Sequence, residues 1–132
     1  MLEKCKQLED KIQQSYQEGV TVEEAERLAG EFLHAQLMVA EELRKSDLDA
    51  RMRKSGVKSI KAAVYLEEAS KGDKKPSDVY LQAKVDSSSI VTSEHKSLDE
   101  AEVSRDLLQN YFNIFKESHI HFRSIAKGSF GS

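Results

Sequence analysis

Residues 97–128 read SLDEAEVSRDLLQNYFNIFKESHIHFRSIAKG, and their periodicity is that of a long amphipathic helix. Leu98, Ala101, Arg105, Leu108, Phe112, Phe115, His119, Phe122 and Ala126 recur at alternating steps of three and four, the repeat of one helical face. Leu107, Tyr111, Ile114, Ser118 and Ile125 lie beside that face and widen it. Thr92 or Ser93 is the expected cap, Glu94, Asp99 and Glu100 supply early negative charge, and Gly128 stands where a helix stops. Leu108, Phe112, Phe115 and Phe122 are the expected hydrophobic seam, closed either within the chain or between subunits.

The rest of the chain carries the same signal. Cys5, Leu8, Ile12 and Ser15/Tyr16 form one stripe from Leu2 to Glu18, and Gly19 ends it. Thr21 with Glu24 three residues later is a capping-box signature, and Val20 precedes it in staple position. Leu28, Phe32, Ala35, Val39 and Leu43 then follow a helical repeat. A second stripe, Leu33, Leu37 and Ala40, suggests burial against more than one neighbour. The pattern thins through Leu48, Met52, Val57, Ile60 and Val64, and Gly56 either interrupts it or sits within it at a cost of about 1 kcal/mol. A polar turn at 69–77 precedes a short helix, Ser77 to Val85, and Ser87, Ser88 and Ser89 form a polar link. Ile90, Val91 and Thr92 fit one helical turn or a short extended piece.

The expected fold is all-α: a long antiparallel helical hairpin with a short helix between, assembled into an oligomeric bundle or ring because a bare hairpin leaves apolar stripes uncovered. The organisation expected is a helical arm at 1–19, a hairpin domain with a basic centre at 20–128, and a disordered tail at 129–132. The first dozen residues hold no apolar core of signal-peptide type, and no stretch approaches the roughly 18 uncharged apolar residues of a membrane span. With a single cysteine and no secretory signal, a reducing, cytoplasmic setting without membrane association is expected.

The 132 residues carry a net charge of −3, distributed in blocks. Residues 1–43 hold 4 basic and 10 acidic residues, whereas residues 44–61 hold 7 basic and 2 acidic ones. Residues 86–106 are acidic again, with 2 basic and 6 acidic residues. Arg51, Lys54, Lys58 and Lys61 step by three, four and three, so they share one helical face; Arg44 continues the row seven residues earlier. Arg53 adds charge beside it, and Lys71, Lys74 and Lys75 decorate the turn that follows. Asp47, four residues before Arg51, partly offsets the row. A line of cations of this kind matches phosphates along a nucleic-acid strand, or else the acidic arm of a neighbouring subunit. Tyr65 and Tyr80 flank the basic turn as stacking or packing residues.

No phosphate-binding glycine loop, cysteine pair or zinc-protease motif is present. His119 and His121 stand about 200° apart on a helix, so they do not converge on a metal, and His34 and His95 lie elsewhere. No catalytic residue, metal or cofactor is expected, and the chain is read as a non-enzyme.

The order of elements resembles the phage recombination mediators of the UvsY type. The features that carry the likeness are a long early helix leading into Lys58-Ser-Ile-Lys61-Ala-Ala-Val-Tyr65, the turn at Lys71-Gly72-Asp73, a small helix from Pro76 to Val85, and the long helix ending in Phe122-Arg123-Ser-Ile125. The resemblance implies a helical oligomer that binds single-stranded DNA without sequence preference. It further implies a protein that helps load a RecA-like recombinase onto strands coated by a single-strand binding protein, in a phage-infected bacterial cell. The family's basic motif places a Lys and an Arg two apart; Lys61 matches the Lys, while Ala63 stands at the Arg position, which shifts the duty to Arg51, Lys54 and Lys58. The alternative is a structural or adaptor helical protein, a phage assembly component or an inhibitor of a host protein, without nucleic-acid binding.

Overall fold

A computed structural model of the chain describes residues 1–128, which form four helices and no strand. They are α1 (Leu2–Glu18), α2 (Val22–Ala69), α3 (Asp78–Ser87) and α4 (Ser89–Ala126). The long helices α2 and α4 pack against each other and the short α3 lies between them in the chain. The tail at 129–132 lies outside the described residues.

Local chemistry accounts for the helix ends. Gly19 adopts φ 78°, a left-handed conformation that stops α1, and its N–H donates to the Ser15 carbonyl at 2.9 Å. Two residues later the Glu24 N–H donates to Thr21 Oγ1 at 3.2 Å, satisfying one of the open donors of α2. Thr21→Ala is therefore expected to cost about 1 kcal/mol, measured by urea denaturation, with Thr21→Ser near neutral. Ser77 caps α3 in the same way, its Oγ accepting from the Tyr80 N–H at 3.2 Å.

The chain forms two compact units: Met1–Arg44 with the chain from Asp106 onward, and Lys45–Arg105. In the first unit, Ala25, Leu28, Ala29, Phe32, Ala35 and Val39 of α2 meet Leu108, Phe115 and Phe122 of α4. The Phe32 ring lies 5.6 Å from both the Phe115 and the Phe122 ring, centroid to centroid. His119 Nδ1 donates to the Ala29 carbonyl at 2.9 Å, a further tie between the two helices. The third layer that a bare hairpin lacks is supplied by α1, whose Cys5 is buried in the same cluster with Leu8 and Ile12 packed against it. Burial pushes the Cys5 thiol above its usual range. The seam is thus closed within the chain: Leu108, Phe115 and Phe122 are buried and Phe112 is partly buried against them.

The second stripe of α2 has a different fate. Leu33 and Leu37 are 41% and 61% exposed, because α1 and α4 occupy the neighbouring faces and nothing else in the unit reaches this one.

In the second unit the buried apolar residues are Ala50, Val57, Leu81, Val85, Val91 and Leu98. The antiparallel sense shows in Asp47 of α2 beside Arg105 of α4 at 4.0 Å, while Arg53, further along α2, lines a shallow polar groove with Ser97 and Glu100, earlier on α4. Gly56 does not interrupt α2; burial of Val57 beside it holds the helix through the weak position. The serine link is shorter than its composition suggests. Ser87 ends α3, Ser89 begins α4, and only Ser88 between them is extended, at φ −65° and ψ 130°. The expected cap at Thr92 or Ser93 lies inside α4 instead. The Thr92 N–H and hydroxyl both donate to the Ser88 carbonyl at 3.0 Å, which is ordinary intrahelical bonding, and the helical phase buries Val91.

Candidate nucleic-acid interface

The cationic row lies on α2 in the second unit. Successive steps of three, four and three residues separate Arg51, Lys54, Lys58 and Lys61 along the axis by about 4.5, 6 and 4.5 Å. The first three are exposed and Lys61 is half-buried. A helix face of this kind is rigid, so the charges keep a fixed spacing while each lysine stem remains free to turn.

The cations fall into two groups. Arg51 pairs with Asp47 at 3.0 Å and Arg53 with Asp49 at 3.0 Å. Lys71 pairs with Glu68 at 2.8 Å, a bond that holds the Glu68 carboxyl below its ordinary range and raises the Lys71 ammonium. Arg44, in the first unit, is held by both carboxylate oxygens of Glu41, at 2.8 and 3.3 Å, and its pKa is raised by that bond. Among the described residues, Lys54, Lys58, Lys61, Lys74 and Lys75 have no carboxylate within ion-pair distance. Arg53 also leaves the row: two residues from Arg51, it points to the polar groove with Ser46, Asp49, Ser97 and Glu100.

Residue spacing carried part of this pairing. Glu41/Arg44, Asp49/Arg53 and Glu68/Lys71 stand three or four apart in sequence, the separations at which helix side chains meet. Such exposed pairs are screened by water and contribute at most about 1 kcal/mol each.

Two aromatic residues border the row and the turn. The Tyr65 hydroxyl donates to Asp78 Oδ1 at 2.8 Å, tying α2 to the start of α3. The Lys84 ammonium stands 5.5 Å from the Tyr80 ring centroid. Tyr65 also lines a groove of about 440 Å³ with Lys61, Ala62, Leu66, Gln82 and Val85. The hydrogen bond to Asp78, with burial and the carboxylate charge behind it, raises the Tyr65 phenol above its ordinary value of 10.0. Tyr111 in the first unit is raised too, chiefly by burial. A raised phenol contributes stability below its unfolded value of about 10, and that contribution is lost as pH rises through the folded value. Alkaline titration followed at the phenolate band is expected to show a late component that shrinks in Tyr65→Phe. A native titration with no component above the ordinary tyrosine range would contradict the Tyr65–Asp78 bond.

Among the described residues, no three His, Cys, Asp or Glu side chains are grouped to hold a metal ion. His34 instead lines an apolar cavity of about 240 Å³ with Cys5, Leu8, Val39 and Phe115, and the His121 ring stands edge-on to Phe122 at 5.2 Å. No helix among the described residues is long and apolar enough to cross a membrane. No protein-family model, curated protein or solved structure matches this chain.

Proposed function

We propose that this chain is a non-catalytic, oligomeric single-stranded DNA-binding protein. It holds the strand by its phosphates without sequence preference and acts as a recombination mediator that helps load a RecA-like recombinase onto strands coated by a single-strand binding protein. The observation that supports the reading is the open lysine face, Lys54, Lys58 and Lys61, with Lys74 and Lys75 in the turn beyond. Phosphate recognition of this kind positions a strand without reading bases. Exposed Leu33 and Leu37 favour self-association, which multiplies a modest row of charges into strong overall binding.

The test is fluorescence anisotropy with labelled single strands of unrelated sequence and equal length, alongside light scattering of the protein alone. Three to five lysines neutralising phosphates predict a loss of about 20- to 100-fold in affinity between 50 and 200 mM salt. Equal affinity for the different sequences is expected, together with a mass above that of the monomer. An assembled protein that binds no strand at 50 mM salt overturns the reading. A structural or adaptor role has its own support in the acidic block at 1–43, which offers a neighbour's lysine row a complementary surface. Under that reading, reversing the lysine charges changes the assembly mass rather than DNA affinity.

A further inference from the structure

A concave apolar groove lies beside Lys61, at the end of the cationic face. It is built from Ala62, Tyr65 and Leu66 on α2 and Gln82 and Val85 on α3, all within the second unit. Val85 is buried, whereas Leu66 is 67% exposed. The groove is therefore apolar, open on one side and flanked by a cation. The bond from Tyr65 to Asp78 ties the ring to the start of α3, which lowers the cost of ordering it against a planar ligand.

We propose that this groove is a nucleobase subsite of the single-strand surface, in which one base stacks against Tyr65 and Leu66 while Lys58 and Lys61 hold the phosphates beside it. The inference rests on the phosphate-binding reading above and deepens it. Charge complementarity selects the occupant. Lys58 and Lys61 bring a polyanion to the mouth of the groove, and the apolar, planar component of that polyanion is its base. The volume, about 440 Å³, is within the range of small-molecule sites and leaves room for a base with its sugar. Gln82 is the sole amide in the lining, and an amide donates to or accepts from any base, so the subsite adds affinity without a sequence code.

The experiment compares two strands with the same number of phosphates on the full-length chain at 50 mM salt: oligothymidylate and an abasic backbone. The thymidylate is expected to bind about ten-fold tighter, within the range that base–aromatic stacking supplies. Tyr65→Leu, which removes the ring and keeps an apolar side chain, is expected to lower thymidylate affinity toward the abasic level, whereas Tyr65→Phe keeps the difference between the two strands. The chain has no tryptophan, so tyrosine emission gives a second readout in the unaltered protein: quenching by thymidylate and none by the abasic strand. Equal affinity for the two strands overturns the subsite and leaves the phosphate reading standing. Failure of both strands to bind overturns the phosphate reading itself.

Discussion

Phe32→Ala is expected to destabilise the first unit by about 3–5 kcal/mol, the range for removing a large buried aromatic. Phe32 is fully buried, and its ring stands 5.6 Å from each of two others, Phe115 and Phe122, so truncation opens a void between three helices and removes two aromatic pairs. Surrounding side chains cannot refill the space cheaply, because Ala25, Ala29 and Ala35 supply little volume on the same face. A small domain holds only about 5–15 kcal/mol in total, so this single change takes a large share of it. Urea denaturation followed by circular dichroism measures the loss. Access of a thiol reagent to Cys5 reports the same event locally, since Cys5 is buried in this cluster. Assembly adds to apparent stability by mass action, so the comparison belongs at two protein concentrations. A loss below about 1 kcal/mol would mean that the aromatic cluster is not what holds α1, α2 and α4 together. Leu37→Ala is the matched control: at 61% exposure it is expected to leave the denaturation midpoint nearly unchanged at the lower protein concentration, where assembly contributes least, while lowering the assembly mass at the higher one.

Helix existence was legible because it depends on local pattern. The three-and-four step through Phe112, Phe115 and Phe122, the stop at Gly19 and the caps at Thr21 and Ser77 each rest on residues within one or two turns of each other. The Ser88 junction was not. Three consecutive serines are equally polar, and what selects among them is the burial of Val91, a tertiary demand. The unit boundary within α2 carries no glycine or proline; its one trace is the change of charge sign at Arg44, where the first unit ends.

The site divides in the same manner. A shared face for Arg51, Lys54, Lys58 and Lys61 follows from helix geometry alone. Which of the cations are already held by acids follows from the same helical spacing on the faces adjacent to the row, with Asp49 four residues before Arg53 and Glu41 three before Arg44. Of the groove, Lys61 and Tyr65 were legible as a cation and a nearby aromatic, but its far wall was not, because Gln82 and Val85 reach them only after α3 folds back.

Double reversal of the open face, Lys54→Glu with Lys58→Glu, is expected to lower single-strand affinity by about 30- to 1,000-fold at low salt. Each reversal removes one attraction and adds one repulsion, and a charge pair at about 4 Å near water is worth about 1 kcal/mol, so two reversals amount to about 2–4 kcal/mol. Both side chains are exposed and have no ion-pair partner among the described residues, so folding stability should change by less than about 0.5 kcal/mol. The salt dependence carries the more specific expectation: two lost phosphate contacts reduce the slope of log K against log salt by about 1.4 for a single strand. Lys54→Gln with Lys58→Gln should produce the same reduction in slope with a smaller loss of affinity, which separates lost contacts from added repulsion. Arg44→Gln is expected to matter less than either, because the Arg44 guanidinium already engages both oxygens of Glu41 and lies in the other unit. An unchanged affinity in the double reversal, with helix content intact, would place the strand elsewhere on the molecule. A collapse of the assembly to monomers with DNA affinity per chain preserved would make the lysine face a subunit contact, as the acidic block at 1–43 permits.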